Sequence, residues 1–257
     1  MRYSVGIVGG GQLARMTHQS AVALGQTLRV LAGDPQDPAA QVTPDVVIGA
    51  HDDPDAVRAA AEGADVMTFD HEHVPPQILL DLEADGIAVR PRASALIHAQ
   101  DKLVMRRALA EIGAPIPAFT GIDSLDDVRR FHAELRGRIV LKSARGGYDG
   151  RGVWMPDSLE EAERIAAEQL EAGVPMMAEA RVHWTRELSA MVARSPFGQG
   201  AVWPVVETVQ RDGICAVAIA PAPGLPDELR SAVQATALRL AEDLDVTGVM
   251  AVGLFEV

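Results

Sequence analysis

The sequence contains a single cysteine, Cys215, among its 257 residues. One cysteine can form neither an internal disulfide nor a cysteine-based zinc site, and such a composition is typical of proteins from a reducing compartment. We therefore expect a cytoplasmic protein in which Cys215 is a small, buried apolar residue.

Basic residues are scarce as well. Lysine and arginine together number 23 against 36 aspartates and glutamates, which gives a formal net charge of -13 at pH 7. A chain this acidic is repelled by nucleic acid and by anionic membrane surfaces, so we expect neither to be a partner. Any phosphate group that this protein binds must be held by a few local residues.

Long apolar runs are also absent. No segment reaches the roughly twenty apolar residues of a membrane-spanning helix, and the N-terminal run, SVGIV, is too short for a signal peptide. The sequence ends within an apolar segment, GVMAVGLFEV, that has no polar tail. We therefore expect the sequence to be a fragment of a longer protein.

The first hundred residues alternate short apolar runs with amphipathic segments. Tyr3 to Val8 form a β-rich run, three glycines follow, and QLARMTHQSAVALG has helical periodicity. The alternation continues through TLRVLAGD, DVVIGA, DPDAVRAAAEGA, DVMTFDHEHVPP and PQILLDLEAD, and ends in the short apolar run IAV. This pattern predicts an α/β domain with a parallel sheet that is covered on both faces.

The pattern changes after Asp101. It predicts a helix through DKLVMRRALAEIG, a connector APIPAF, a helix from Asp123 toward Leu135, a hairpin through RIVLKSARGGYDGRGVWM and a helix through SLEEAERIAAEQLEAG. The segments PMMAEARV, RELSAMVARS, AVWPVVET and ICAVAIAP predict strands, mostly antiparallel because their connections are short. A long helix and a final strand, GVMAVGLFEV, complete a second domain of α+β type.

A glycine-rich turn follows the first predicted strand. Gly9 to Ala14 fit the pattern G-x-G-x-x-A between a strand and a helix, and Asp34 lies near the end of the second strand, where a ribose-binding acid belongs in dinucleotide sites. This pattern is typical of a nicotinamide or flavin site. The same turn also serves to start a helix close to a sheet or to bind another phosphate, so both interpretations stay open.

The segment Asp70-His71-Glu72-His73 follows the fourth predicted strand. His71 and His73 share a face in an extended segment and could chelate a metal, although the sequence offers no obvious third ligand. Ligands of α/β proteins bind at the carboxyl end of the sheet, and we therefore favour residues that face a substrate.

The segment KSARGGYDGRGV, at positions 142 to 153, combines four glycines with four charged residues. It is not a Walker loop, because Lys142 precedes the glycines. A lysine at the end of an apolar strand can contact a phosphate, while glycines expose backbone N–H groups to other phosphate oxygens. We predict an anion-binding loop, with an exposed hairpin tip as the alternative. Glu179 and Glu187 follow on later strands, and by themselves they are as consistent with surface ion pairs.

Taken together, these segments resemble the ATP-grasp family, and within it the enzymes of purine biosynthesis that carboxylate aminoimidazole ribonucleotide. The resemblance is carried by GGGQLARM, TFDHEHVP, AQDK, KSARGGYDGRG, MAEARVHWTRELS, PVVETVQRDGIC and GVMAV. It implies a Rossmann-like pre-ATP-grasp domain over residues 1–97 and an ATP-grasp domain over residues 98–257. The second domain would comprise a lid subdomain at about 115–184 and, over 185–257, a central sheet that is incomplete at its C-terminus. The glycine turn would then face the ribonucleotide rather than NAD.

The resemblance also implies roles for individual residues. ATP would be bound by Lys102, Lys142, Gly147, Tyr148, Asp149, Gly150, Arg151, Gly152, Val153, Glu179, Ala180, Arg181, Val182, Glu187 and Gln210. Of these, the two lysines would contact phosphates, the loop Gly147 to Val153 would close over them, Glu179 to Val182 would line the adenine, and Glu187 would bind the ribose. The ribonucleotide would contact Gln12, Leu13, Glu72 and His73, together with Tyr148, Asp149 and Arg151, which are also the catalytic candidates.

The implied reaction is the attack of bicarbonate on ATP to give carboxyphosphate, which then carboxylates the exocyclic amine of the ribonucleotide. The resemblance further implies Mg²⁺ and a homodimer. It places a metal-binding glutamate at position 253, where this chain has glycine, and a second one beyond Val257. Glu256 would point to the opposite face of the strand from Gly253. Two alternatives therefore remain, an ATP-binding module without catalysis and an NAD-dependent oxidoreductase.

Overall fold

The computed structural model describes residues 3–147 and 151–257, and the chain divides into two units, Met1–Ile97 and His98–Val257. Unit 1 contains β1 (Ser4–Val8), α1 (Gln12–Ala23), β2 (Thr27–Ala32), β3 (Asp45–Ile48), α2 (Pro54–Ala61), β4 (Val66–Phe69) and α3 (Pro76–Ala84), and α4 (Ala93–Gln100) follows at its end. The four strands form one sheet in the order β3-β2-β1-β4, and each neighbouring pair is parallel.

Apolar clusters lie on both faces of this sheet. One includes Ile7 and Val30 and packs with α1, and the other includes Leu31 and Met67 and packs with α2 and α3. Burial on both faces explains the continuous apolar run at the end of β2, where Val30, Leu31 and Ala32 are all buried. The predicted α/β fold with a covered parallel sheet is confirmed.

The end of unit 1 differs from the prediction. The run Ile87 to Val89 is not a full strand, because it contributes only a single parallel bridge between Met67 and Val89. The helix α4 was not predicted, since its sequence, ASALIHAQ, is mostly small and apolar and has no marked polar face.

Unit 2 contains α5 (Lys102–Glu111), β5 (Phe119–Ile122), α6 (Leu125–Glu134), β6 (Ile139–Ser143), β7 (Val153–Trp154), α7 (Leu159–Glu171), β8 (Met176–Ala180), β9 (Arg186–Arg194), β10 (Gly200–Val202), β11 (Val206–Arg211), β12 (Ile214–Ile219), α8 (Asp227–Asp243) and β13 (Gly248–Glu256). One sheet has the order β5-β8-β6-β7 and packs on α6 and α7. The other has the order β10-β9-β11-β12, with β13 also paired to β9, and packs on α8. All these pairings are antiparallel, as predicted.

Two predicted segments of unit 2 need correction. The segment AVWPVVET does not form one strand, because β10 ends at Val202 and β11 begins at Val206, and Pro204 between them lacks the N–H that a sheet ladder needs. The connector APIPAF was expected to lead directly into a helix, but β5 intervenes and pairs with β8. This strand was not predicted because it has only four residues and directly follows a proline-containing segment, which is typical of a loop.

Cys215 is exposed, against the prediction. It lies in β12, which is the terminal strand of its sheet and has all six residues exposed. An apolar sequence such as ICAVAI predicts burial, but the position of a strand at a sheet edge cannot be read from its composition. Among the described residues, no helix combines the length and the apolar character needed to cross a bilayer.

Candidate functional site

The glycine turn of unit 1 encloses a carboxylate of the same chain. Gly11 is the N-cap of α1, and its N–H donates to Oδ2 of Asp70 at 2.9 Å. Gly9 has φ +118, and a Cβ at that position would lie 1.5 Å from Oδ1 of Asp70. The side chain of Asp70 is 7% exposed. Because a negative charge already lies at this helix N-terminus, the turn is poorly suited to the pyrophosphate of NAD.

Three histidines meet beside this turn. The ring centroids of His51 and His71 are 5.0 Å apart, and those of His71 and His73 are 5.3 Å apart. The N–H of His73 donates to Nδ1 of His71 at 3.2 Å, so the neutral ring of His71 carries its proton on Nε2, which lies 4.0 Å from Oδ1 of Asp70. Burial lowers the pKa of His71 from its ordinary value, and the charge of Asp70 only partly offsets this effect.

The metal hypothesis for His71 and His73 is not supported. Within residues 3–147 and 151–257, no group of three or more histidine, cysteine, aspartate or glutamate side chains is arranged to hold a metal ion. His51 was not singled out from the sequence, although it follows the carboxyl end of a strand, where ligand-facing side chains belong.

A pocket of about 560 Å³ opens at the carboxyl ends of the strands of unit 1. Its lining includes the glycine turn, the predicted substrate residues Gln12 and Leu13, and the unpredicted residue His51. Asp70 and His71, from the segment that was expected to face a substrate, line it as well. The pocket lies where the strand order reverses, with β4 on the opposite side of β1 from β2. Such switch points are the usual ligand sites of open α/β sheets. The predicted substrate residues Glu72 and His73 directly follow His71 in the sequence but are not part of the pocket lining.

In unit 2, the first turn of α5 is joined to the start of the glycine-rich loop. The carboxylate of Asp101 caps α5 by accepting hydrogen bonds from the N–H groups of Leu103 and Val104, each at 3.0 Å. It also accepts a hydrogen bond from Nε of Arg145 at 2.7 Å. Burial opposes the ionisation of Asp101, but these bonds outweigh it and hold the pKa of the carboxyl below its ordinary value.

Lys102 completes this connection. Its backbone N–H donates to the carbonyl of Ala144 at 2.7 Å, and its Nζ donates to the carbonyl of Gly146 at 2.8 Å. Two loop glycines, Gly147 and Gly152, have φ +79 and φ +74, which side-chain-bearing residues rarely adopt. The predicted site residues Tyr148, Asp149 and Gly150 lie outside the described residues.

Glu179 lies between two cations. Nε of Arg106, on α5, donates to one oxygen of its carboxylate, and Nζ of Lys142, at the end of β6, lies 2.5 Å from the other. The side chain of Glu179 is 5% exposed. Burial by itself would raise the pKa of this carboxyl, but the charge of Lys142 and the hydrogen bond from Arg106 together hold it below its ordinary value.

Arg106 was missed by sequence reasoning. It lies one helical turn after Lys102 on α5, and residues four apart share a helix face. Lys102 was a predicted phosphate contact, so the spacing alone was a usable signal. The contact of Arg106 with Glu179 has no short sequence motif, because the two residues lie 73 positions apart.

Val182, at the end of the predicted adenine segment, lines a pocket of about 380 Å³ within unit 2. Arg106 supplies a cation to this pocket, and Leu254 and Phe255 of β13 supply apolar surface. An apolar groove with a cation at its side has the chemistry that a heterocyclic base with an attached phosphate requires.

Glu187 faces the same side of its sheet as Gly253. Glu187 pairs with Phe255 and Ser189 pairs with Gly253 across β9 and β13, and strand residues two apart share a face. Glu256 lies on the other face, as predicted, where its carboxylate accepts a hydrogen bond from Nε of Arg186 at 2.5 Å. Gln210 is exposed on β11, next to a bulge.

Family comparisons agree with this arrangement. Residues 107–257 match the model of the ATP-grasp domain, and residues 2–100 match the ribonucleotide synthetase preATP-grasp domain. The chain belongs to the ATP-grasp family. The two models cover the two structural units in turn.

Several similar proteins are N5-carboxyaminoimidazole ribonucleotide synthases or synthetases. This ATP-grasp chain is 60% identical over 252 residues to the N5-carboxyaminoimidazole ribonucleotide synthase of Mycobacterium tuberculosis, a match that covers 98% of this chain and 59% of that protein. A crystal structure of an ADP complex of N5-carboxyaminoimidazole ribonucleotide synthetase superposes with TM-score 0.90 at 31% identity, covering 98% of this chain and 66% of the other. The Aspergillus clavatus enzyme in complex with ADP and 5-aminoimidazole ribonucleotide superposes with TM-score 0.87 at 29% identity, covering 99% and 66%.

Three groups of predicted site residues are recognisable in this ATP-grasp chain. Gln12 and Leu13 lie at the pocket of unit 1. Lys102, Lys142 and Glu179 lie around the start of the glycine loop, to which Arg106 and Asp101 are added by the structure. Glu187 lies on the second sheet of unit 2, and Gln210 on the neighbouring strand of that sheet.

Proposed function

We propose that this chain carries the nucleotide-binding and ribonucleotide-binding parts of an enzyme that carboxylates 5-aminoimidazole ribonucleotide with ATP and bicarbonate, in purine biosynthesis. The product would be N5-carboxyaminoimidazole ribonucleotide. The chain spans 59% of the length of a relative that bears this enzyme's name, so the activity is proposed for the whole protein.

The position of the lysines is the observation that carries this proposal. Lys102 and Lys142 are the only lysines in the sequence, and the other 21 basic residues are arginines. Both lysines flank the glycine loop, where one donates to the loop carbonyl of Gly146 and the other ends the strand that precedes it. Lysine differs from arginine in being a compact point charge on a flexible stem, which suits a residue that must follow a phosphate.

The proposed nucleotide site extends from these lysines. Glu179, Ala180, Arg181 and Val182 would line the adenine, and Glu187 would accept hydrogen bonds from the ribose. The loop residues Gly147, Tyr148, Asp149, Gly150, Arg151, Gly152 and Val153 would cover the phosphates, and Gln210 would supply a further contact. This arrangement is supported by the apolar pocket that Val182 and Phe255 line, and by the left-handed backbone of Gly147 and Gly152.

The proposed ribonucleotide site is the pocket of unit 1. Gln12, Leu13, Glu72 and His73 would contact this substrate, and His51 and His71 also lie at or beside the pocket. Tyr148, Asp149 and Arg151 remain the catalytic candidates from the sequence.

The proposed chemistry proceeds in two transfers. A bicarbonate oxygen attacks the γ-phosphorus of ATP and releases ADP, which gives carboxyphosphate. The exocyclic amine then attacks its carbonyl carbon, and inorganic phosphate and a proton leave. The two lysines would neutralise charge on the phosphates, and closure of the glycine loop would keep water away from the labile mixed anhydride.

Mg²⁺ is implied by the resemblance, but the described residues do not fit it. Gly253 offers no side-chain oxygen, and no described group of acidic or histidine side chains is arranged as a metal site. We therefore assign no step to the metal. We further propose a homodimer in the cytoplasm, with small-molecule substrates as the partners of the site.

Chemical labelling tests the nucleotide site. Lys102, Lys142 and the terminal amine are the amines that acetic anhydride can acetylate, and ADP should slow acetylation of both lysines while leaving the terminal amine unaffected. Mass spectrometry of each peptide measures the three rates. Lysine rates that do not change at saturating ADP would contradict the site, and calorimetry should show ADP affinity at least about tenfold weaker in Lys142→Ala.

A non-catalytic ATP-binding module is the second candidate, and the glycine at position 253 favours it. This candidate predicts the same protection of both lysines by ADP, but no ADP release that depends on aminoimidazole ribonucleotide. Measurement of ADP production with and without the ribonucleotide separates the two.

A further inference from the structure

Arg106 and Lys142 share one buried carboxylate, that of Glu179. Arg106 donates to one oxygen of Glu179 and Lys142 to the other, and the side chains of the two cations are 18% and 21% exposed. Glu179 itself is 5% exposed. The three groups therefore form a compact, mostly buried cluster that contains two positive charges and one negative charge.

This cluster has an excess of positive charge. A buried charge is costly unless it is paired, so a cluster with one surplus cation favours an anion at its open side. Arg106 also lines the apolar pocket that contains Val182 and Phe255, so the cluster is adjacent to space that a ligand can enter.

We propose that Arg106 is a positioning residue for Lys142. It keeps the carboxylate of Glu179 paired and in place when Lys142 turns from Glu179 to a phosphate of the nucleotide. This inference rests on the proposed function, since it needs a nucleotide phosphate as the anion. Without Arg106, Lys142 is the only cation among the described residues that is bonded to this carboxylate, and its transfer to a phosphate leaves a buried charge unpaired.

The identity of the second cation fits this role. The guanidinium group is always charged and its donors are held in a rigid plane, so Arg106 stays bound to the carboxylate at any physiological pH. Lys142 has a flexible stem and a single rotatable ammonium group, which allows it to change partners.

A double-mutant cycle with ADP as the probe tests the inference. Calorimetry should show ADP affinity about tenfold weaker in Arg106→Gln than in the wild type. In a Glu179→Gln background the same change should cost less than about twofold, because the carboxylate that retains Lys142 has been removed. Arg107→Gln alters the adjacent, exposed arginine of α5 and should leave the affinity unchanged.

A second readout does not depend on nucleotide binding. In Arg106→Gln without ADP, acetylation of Lys142 should slow several-fold, since its amine is then held more tightly by Glu179 and is less available to the reagent, while acetylation of Lys102 should not change. Arg106→Lys should restore most of the rate. Thermal unfolding shows whether each variant folds. If Arg106→Gln does not fold, the acetylation rate of Lys142 and the ADP affinity are compared between Arg106→Lys and the wild type.

Three results would overturn the inference. An equal loss of ADP affinity in both backgrounds would mean that Arg106 contacts the nucleotide directly. No loss in either background, with a normal loss in Lys142→Ala, would remove the role of Arg106 and leave the proposed nucleotide site intact. Absence of ADP binding to the wild type would remove both.

Discussion

The two units build their candidate sites from different chemistry. The site of unit 1 combines three imidazole rings with the carboxylate of Asp70, whereas the site of unit 2 combines both lysines of the chain with Arg106, Arg145 and two mostly buried carboxylates. The first arrangement is suited to recognition by hydrogen bonds and shape, and the second to recognition by charge. Stability should therefore depend on a buried ion cluster in unit 2 and on close backbone packing in unit 1.

The largest expected effect is the loss of the carboxylate in unit 2. Glu179→Ala leaves Arg106 and Lys142 side by side without a counter-charge, and we expect the free energy of unfolding of unit 2 to fall by about 3 kcal/mol. Unit 1 should not change. Denaturant titration followed by hydrogen exchange, resolved to peptides of each unit, measures both.

Glu168→Ala is the matched control for this change. Glu168 also pairs with an arginine, Arg164, but its side chain is 57% exposed. An exposed helical pair contributes less than about 0.5 kcal/mol, so the control should have a small effect. Similar losses in the two variants would show that burial of the ion cluster does not distinguish unit 2.

The next largest effect is expected at the glycine turn of unit 1. Gly9→Ala puts a side chain on a backbone with φ +118 and within 1.5 Å of Oδ1 of Asp70. Asp70 must move and release the N–H of Gly11, so we expect a loss of about 2 kcal/mol in unit 1. Gly25→Ala, at φ +68 with no atom within 4 Å, has only the backbone cost of about 1 kcal/mol. Equal losses would mean that the contact with Asp70 is unimportant.

The same contrast explains what the sequence can predict. The parallel sheet of unit 1 and the hairpin that carries the glycine loop follow from local patterns, because alternating apolar runs and glycine turns act over a few residues. Lys102 and Lys142 were also proposed as site residues, since each belongs to a short segment that carries the family resemblance. Contacts between residues that are far apart in the sequence leave no such local pattern, so they could not be predicted.

Four missed features show this limit. Arg106 meets Glu179 across 73 positions and Asp70 meets Gly11 across 59 positions, so neither contact has a local signal. His51 joins His71 only because two strands end at the same edge of the sheet. The exposure of Cys215 depends on which strand becomes the edge, and this is decided by tertiary pairing.

The smallest expected effect is a difference in pH dependence between the two units. The pKa of His71 is lowered in the folded state, so the unfolded chain binds more protons and the stability of unit 1 rises with pH. This contribution is complete above about pH 6.5, the ordinary histidine value, and is lost as the pH falls through the lower pKa of the folded protein. Asp70, Glu72, His51 and His73 are the charged or titratable groups that act on this ring.

In unit 2, the pKa values of Glu179 and Asp101 are also lowered, so the ion cluster loses its stabilising contribution as the pH falls, but only below about pH 4.3, where carboxylates begin to protonate. Burial also lowers the pKa of His98 at the start of unit 2, so the comparison is made between the peptides around His71 and those around Glu179. Hydrogen exchange between pH 4 and pH 8 should show the peptides around His71 weakening first. His71→Gln should flatten the profile of unit 1 and leave that of unit 2 unchanged. If the peptides of both units instead weakened over the same pH range, the local pKa shifts of His71, Glu179 and Asp101 would not account for the pH dependence. A change that acts on the whole chain, such as its net charge, would then be the cause.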